Sequence, residues 1–310
     1  MLFIESKIFG QPISRISFGG GGLSGEGGGY GFGAISEKES EIIIKASWDA
    51  GINIFDTAPI YGFGLSEERL GRYLPQEAIV VSKGGVDWHP NKRVNMSNDP
   101  VIMEKMFFES LKRLKREYID VYMIHWPDPR VEIERPLEVL IRLKERGLIK
   151  HIGLCNSQKQ DFEKAKKLAS IDILQSESNL FSHDNFDFAQ EPIFKMSWGT
   201  FDKGILSGRV FPERKYDASD ARSWAPWWKK SDFKTKFEIL EKLKLILDDY
   251  SFSLTQFALS YNLQLYDIST TLVGLKKTQD LETLTRDLNR LIIRERMNEI
   301  IKRLNHSQGE

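Results

Sequence analysis

Residues 51–85, GINIFDTAPIYGFGLSEERLGRYLPQEAIVVSKGG, decide the fold, because they hold one complete strand, helix and strand with their punctuation. INIF, 52–55, and AIVVS, 78–82, are short β-rich runs, and Ser66 to Leu74 between them carries a helical period. Upstream, Ser36 to Ala50 opens with a capping box, Ser36 and Glu39, and stops at Gly51, a residue that tolerates the left-handed cap. Downstream, Asp99 and Pro100 fit the cap and first turn of a helix with Met103, Phe107, Leu111 and Leu114 on one face.

The alternation continues through the chain. YIDVYMI (118–124), KHIGL (150–154), IDILQ (171–175), IFKMSW (193–198) and STTLVG (269–274) read as strands. Helices are expected from Pro136 to Gly147, from Lys159 to Ala169, over about 232–249 and 253–264, and twice more before the end. With RISF, 15–18, as the first strand there are eight β-runs separated by helices, the arithmetic of a (β/α)₈ TIM barrel. An open doubly wound sheet competes but normally uses five or six strands. One domain over 1–310 is the simplest organisation, with a long loop after strand 7 and extra helices at the carboxyl end.

Composition excludes several functions. The 44 Lys and Arg balance 44 Asp and Glu without a block of like charge, which argues against nucleic acid and polybasic membrane binding. A single cysteine, Cys155, can form no intramolecular disulfide and no thiolate cage, so a reducing, cytoplasmic setting is expected. No apolar run is long enough to cross a membrane, and MLFIESK has an acid where a signal peptide has an apolar core. Five scattered histidines lack ligand spacing, so no metal is expected.

Ten of the 24 glycines fall between Gly19 and Gly33, a loop by composition. Its start, Gly20 to Gly25, formally satisfies G-x-G-x-x-G after a strand, which makes Gly20 a candidate cofactor contact. The residues that follow, EGGGYGFG, postpone the helix that this fingerprint needs, and a mobile loop is the plainer reading. No P-loop, nucleophile elbow or H-E-x-x-H is present.

Ionisable residues stand at strand ends instead: Asp56, Lys83 and His125 end the second, third and fourth strands, and Tyr61 lies in the loop after Asp56. In a parallel barrel these ends open on one face, where such folds place their chemistry. Each alone could be a turn cap, a rim residue or a core histidine, but four in register suit protonation of a developing alkoxide. Tyrosine, with a pKa of about 10, needs a neighbouring cation to transfer its proton near neutral pH. Tyr61 is then the acid, Lys83 the cation expected to lower its pKa, Asp56 the partner of Lys83, and His125 the group that orients the substrate oxygen.

GINIFDTAPIYGFGLSEERLGRYL, VVSKGG and IDVYMIHWPDP resemble three successive signatures of the aldo-keto reductase family, whose catalytic tetrad falls in order on Asp56, Tyr61, Lys83 and His125. The resemblance covers nearly the whole chain. It implies a (β/α)₈ barrel and hydride transfer between a nicotinamide, usually NADPH with NADH possible, and a small-molecule carbonyl or sugar. Asp56 is expected beside that cofactor too.

Further matches extend it. HIGLCNSQ resembles I-G-V-S-N-F, so Asn156 would hold the nicotinamide carboxamide together with Gln175, while Cys155 replaces serine. KMSWGTFDKGILSGR resembles Y-S-P-L-A-x-G-x-L-x-G, which puts Trp198 against the nicotinamide and the backbone around Phe201, Gly204, Leu206 and Gly208 along the pyrophosphate; Thr200 replaces proline. TLVGLKKTQDLETL keeps Gly274 and sets Lys276 and Lys277 where a 2′-phosphate would lie, but has Asp280, Thr283 and Leu284 where Gln or Arg, Glu and Asn are usual.

Trp224, Trp227, Trp228 and Arg222 in the long segment 209–231, with Trp88 and Trp126, are candidate walls of the substrate pocket. The hydrophilic end, NHSQGE, is expected to leave that pocket open. Other readings are an aldose 1-dehydrogenase working in the oxidative direction, a low-turnover regulatory subunit of the same fold, and a lyase forming a Schiff base at Lys83.

Overall fold

The computed structural model describes residues 1–25, 30–189 and 192–306. The middle of the glycine-rich stretch and most of NHSQGE, with the expectations placed on them, lie outside the described residues.

A short antiparallel hairpin, β1 (Phe3–Ile4) with β2 (Ile13–Ser14), precedes the barrel. Eight parallel strands then close on themselves among the described residues: β3 (Ile16–Gly19), β4 (Ile54–Asp56), β5 (Ile79–Gly84), β8 (Ile119–Ile124), β9 (Ile149–Cys155), β10 (Ile173–Glu177), β11 (Phe194–Trp198) and β12 (Thr270–Val273). The β12–β3 pairing, Thr271 opposite Ile16 through Val273 opposite Phe18, completes the ring. The (β/α)₈ barrel expected from the sequence is therefore the fold. Between β5 and β8 a second hairpin, β6 (Val86–Trp88) with β7 (Val94–Met96), rises from the strand ends; the sequence reading had no strands there.

Helices α1 (Glu37–Asp49), α2 (Leu65–Tyr73), α3 (Pro100–Leu114), α4 (Glu134–Glu145) and α5 (Lys159–Lys166) wrap the first half. The Ser36–Glu39 capping box forms, and Asp99 caps α3 through the amides of Val101 and Ile102. Helix α4 starts two residues before Pro136, since proline is tolerated anywhere in a first turn, where amides have no helical partner. The long connection after β11 is not bare loop: it contains a 3-10 turn, Asp202–Ser207, another at Ala221–Ser223, and the short α6 (Pro226–Lys229). Then come α7 (Phe233–Asp248), α8 (Leu254–Ser260) running into a π turn at Tyr261–Leu265, α9 (Thr278–Leu288) and α10 (Arg294–His306).

Strand alternation sorts the core into two shells. Phe55, Val80, Tyr122, Ile152 and Leu174 face the helices. Ile54, Val81, Met123, Cys155, Ile173 and Met196 fill the barrel, closed at its amino end by Ile13, with Ile4, Ile8 and Phe9 of the first hairpin against it. Because side chains alternate with period two, residues two beyond those interior positions also turn inward at the carboxyl end. Among those residues are Asp56, Lys83, His125, Gln175 and Trp198.

The start of the glycine-rich stretch is not the loose loop expected. Gly20–Leu23 form a buried 3-10 turn directly after β3. A Cβ on Gly20 would come within 2.6 Å of the Asp56 carbonyl oxygen and 2.7 Å of Ser66 Oγ, so only glycine lets the turn lie against the end of β4.

Candidate active site

Lys83 and Asp56 meet inside the mouth of the barrel, at 0% and 1% exposure. Lys83 Nζ donates to Asp56 Oδ1 at 2.6 Å, to Oδ2 at 2.7 Å and to the Thr57 carbonyl at 2.9 Å, which engages all three of its hydrogens. Thr57 is itself fixed, its amide donating to the Val81 carbonyl and its hydroxyl bonded to Ser66, which in turn donates to the Gly20 carbonyl. Burial alone would lower the Lys83 pKa, but the carboxylate beside it more than compensates, and the ammonium is held above its ordinary value. Burial raises the Asp56 carboxyl, with Lys83 opposing it.

Tyr61 is half-buried in the loop after β4, its ring 5.5 Å from Lys83 Nζ and edge-on to the His125 imidazole at 5.9 Å. The four ionisable residues expected to converge do so. The pKa of Tyr61 corrects the expectation, however. Its apolar surroundings push the phenol up to about 12, and Lys83 offsets only part of that. Burial, reinforced by Lys83, holds His125 well below the ordinary histidine range, so the imidazole is neutral.

The residues assigned to the nicotinamide form one chain of hydrogen bonds with this group. Gln175 Nε2 donates to Asp56 Oδ2 at 2.8 Å, and the Cys155 thiol donates to Gln175 Oε1 at 3.4 Å. Asn156 Nδ2 donates to the His125 carbonyl at 3.0 Å and to Cys155 Sγ at 3.1 Å, while Trp198 Nε1 donates to Asn156 Oδ1 at 3.0 Å. Asn156 has φ 56°, a left-handed conformation that asparagine adopts more readily than most residues. Buried Cys155, its pKa raised to about 12, is a thiol acting as a weak donor.

The pyrophosphate and phosphate candidates fare differently. The amides of Gly204 and Leu206 both donate to the Phe201 carbonyl, and that of Gly208 to Ile205, so these three donors serve their own turn. Thr200 takes the place of proline by tying β11 to β12, donating to the Leu272 carbonyl at 2.9 Å. Gly274 is open, and a Cβ placed there would meet nothing within 4 Å. Lys276 turns away from solvent and donates to the carbonyls of Phe32, Gly33 and Ala34 at 2.7, 2.7 and 3.1 Å, which makes it a staple on the glycine-rich segment. Lys277 is left exposed at the head of α9. Asp280 pairs with Arg209 at 2.7 Å and Leu284 packs in the core, which accounts for two of the three unusual residues in this signature.

Around the mouth, Trp88 packs on Phe63 in the cluster that contains Tyr61, and Trp224 joins it through Tyr30. Trp227 shares the Lys203 ammonium with Trp198, at 5.9 and 5.8 Å. Trp126, Trp224 and Trp227 are 40%, 39% and 38% exposed, a high value for indoles. Sequence reading missed the ion cluster beneath them: Lys203 bonds Glu177 and Asp202, and Lys236 of α7 reaches Asp202 at 2.6 Å. Asp202, where the family pattern has alanine, was the available signal.

A closed parallel barrel with a lysine, aspartate, tyrosine and histidine gathered at its carboxyl mouth is the frame of one class of barrel oxidoreductase. Residues 15–305 match the aldo/keto reductase family, and the chain belongs to that family. It is 32% identical over 287 residues to the aldo-keto reductase YhdN of Bacillus subtilis, covering 89% of this chain and 85% of that protein. It is 25% identical over 291 residues to the NADP(+) aldo-keto reductase yakc of Schizosaccharomyces pombe, covering 89% and 84%. Among solved structures, a glycerol dehydrogenase of Gluconobacter oxydans superposes with a TM-score of 0.84 at 26% identity, covering 98% of this chain and 95% of that one.

Proposed function

We propose that this chain is a nicotinamide-dependent carbonyl reductase in which Tyr61 Oη gives the proton to the developing alkoxide. One observation carries the reading: the Tyr61 ring lies 5.5 Å from the Lys83 ammonium and 5.9 Å from the His125 imidazole. A phenol raised to about 12 keeps its proton through the neutral range, as an acid must before the reaction. Lys83, fixed by three acceptors, stabilises the phenolate that remains, and Asp56 keeps Lys83 charged. His125, neutral and buried, offers a hydrogen bond to the carbonyl oxygen without competing for the proton.

The donor set fits a nicotinamide. Gln175 and Asn156 present amide groups at the ends of neighbouring strands, and Trp198 brings an indole face beside them. When bound, the reduced nicotinamide would supply the hydride. NADPH is favoured by exposed Lys277 and by the NADP(+) in the name of the fission-yeast relative, and NADH remains the alternative to be measured.

A second reading, oxidation of a sugar or polyol, is favoured by the exposed tryptophans at the mouth, faces on which a sugar ring can stack, and by the glycerol dehydrogenase likeness. Imine chemistry at Lys83 is disfavoured, since it needs a neutral amine and this one is held as ammonium.

The test is a screen of aldehydes, ketones and aldoses with both nicotinamides, read at the absorbance band of the reduced cofactor, with Tyr61→Phe alongside. Loss of about 10²–10⁴-fold in turnover with cofactor binding retained is expected. Reduction should hold steady through neutral pH and fail in strong alkali, while oxidation should rise with pH as the phenol ionises. A Tyr61→Phe variant that keeps more than about a tenth of the wild-type rate would remove Tyr61 as the acid.

A further inference from the structure

Resting on the reading of His125 as the substrate-orienting group, we propose that Asn98 is a positioning residue for it, holding the chain where the strands that deliver Lys83 and His125 end. Asn98 lies between β7 and α3 and is fully buried. Its Nδ2 donates to the Trp126 carbonyl at 3.1 Å and its Oδ1 accepts the Asp128 amide at 2.7 Å, so both ends of one amide grip the four-residue segment that begins at His125. A Cβ on Gly85 would collide with the same Nδ2, which shows how closely Asn98 also lies against the chain leaving Lys83. The Ser97 amide donates to the Gly85 carbonyl at 3.0 Å, and the His125 amide donates to Gly84 at 2.8 Å.

The carbonyls of His125 and Trp126 are thus held by two different asparagines, Asn156 and Asn98. Asn156 stands at the cofactor side of the site, whereas both side-chain hydrogen bonds of Asn98 go to the segment that begins at His125. Loss of Asn98 frees the segment there and leaves the Asn156 anchor in place. From the exposed side Arg130 steadies the same segment, bonding both Asp128 carboxylate oxygens at 2.8 Å and the Met96 carbonyl.

Two variants of the full chain test this. Asn98→Leu keeps the branched shape, with two bulkier methyl groups, and removes both hydrogen bonds; Arg130→Ala removes an exposed side chain and loosens the segment less. With 4-nitrobenzaldehyde as substrate, Asn98→Leu should lower kcat/KM by about 10–100-fold, the scale of a misplacement of about 1 Å, with the NADPH dissociation constant within about twofold. Arg130→Ala should shift the same parameter in the same direction by about threefold or more.

NMR titration of the histidines in the protein without cofactor gives a readout apart from turnover. Lys83 from β5 and Tyr61 from the loop after β4 face the His125 imidazole, Asp56 stands behind Lys83, and Asp128 and Arg130 lie along its own segment. Loosening the segment admits water and should bring the His125 titration up toward the ordinary range. A folded Asn98→Leu protein with wild-type kcat/KM and unchanged His125 titration overturns the proposal, as does an NADPH constant that worsens as much as kcat/KM. If the wild type reduces no carbonyl, the functional reading fails, and the His125 titration still decides the role of Asn98. If Asn98→Leu does not fold, the same two readouts on Arg130→Ala decide it.

Discussion

Gln175 donates its side-chain amide to Asp56 Oδ2 at 2.8 Å, across the interior of the barrel, and that same oxygen accepts a hydrogen from Lys83 at 2.7 Å. The amide assigned to the nicotinamide is therefore already bonded to the carboxylate that keeps Lys83 charged. The residues proposed for the cofactor and those proposed for proton transfer share one buried network, in which each hydrogen bond polarises the next.

Lys83→Met should lose more rate than Asp56→Asn, because Lys83 faces the phenol directly, whereas Asp56 acts on the phenol through Lys83. The double variant should be little worse than Lys83→Met, as expected of groups that work as one unit. Asp56→Asn alone leaves a buried ammonium without its counter-ion, and a destabilisation of about 3–5 kcal/mol is expected. Steady-state kinetics and urea unfolding of the three variants check both statements, and fully additive rate losses would separate Asp56 from Lys83.

Reduced nicotinamide should quench tryptophan emission through Trp198. Trp198→Leu should weaken cofactor affinity and remove part of the quench, and it also deprives Asn156 Oδ1 of its donor. A fluorescence titration identical to that of the wild type would return Trp198 to a packing role at the end of β11.

The two lysines after β12 should separate. Lys276 is committed to three carbonyls, so Lys276→Ala should loosen the 32–34 segment and weaken NADPH and NADH alike. Lys277→Ala should weaken NADPH alone, by about 2–5-fold, in line with about 0.4–1 kcal/mol for an exposed contact, and less at high salt. Calorimetric titration of both nicotinamides at two salt concentrations checks this, and equal loss of both for Lys277→Ala would place that lysine outside any phosphate site.

Away from the mouth, Asp172 at the amino end of β10 should govern acid stability. Burial would raise its pKa, but the His151, Lys144 and Ile152 N–H contacts outweigh burial and bring it to about 2. Lys144 Nζ stands at 2.8 Å and the Ile152 amide at 3.1 Å. A carboxyl whose folded pKa is depressed contributes stability above its unfolded value of about 3.9, and that contribution is lost as pH falls through about 2. Asp172→Asn should therefore cost about 1–2 kcal/mol at pH 7, with the difference vanishing near pH 2, and leave turnover unchanged. Unfolding curves at several pH values measure it, and a gap that stays constant down to pH 2 would contradict the assignment.

Local pattern alone determined that each site residue shares a strand face with the apolar residue two before it. Asp56 follows Ile54 by two, Lys83 follows Val81, His125 follows Met123, Gln175 follows Ile173, and Trp198 follows Met196, so the period of two that fills the barrel also turns these groups inward. The eight strands, the Ser36 and Asp99 caps and the glycine stop at Gly51 are likewise local, and each was legible. What only the tertiary structure decided is which groups remain free once the barrel closes. Lys276 bends toward carbonyls more than 240 residues earlier in the chain, Gln175 reaches an aspartate 119 residues away, and Asn98 grips the segment after His125. Tyr61 belongs with these, because a cation beside a phenol lowers its pKa in water, yet the apolar wall that closure places around the ring outweighs the cation. Hydrogen-bond saturation and desolvation depend on neighbours brought together by closure, and no spacing along the chain encodes them.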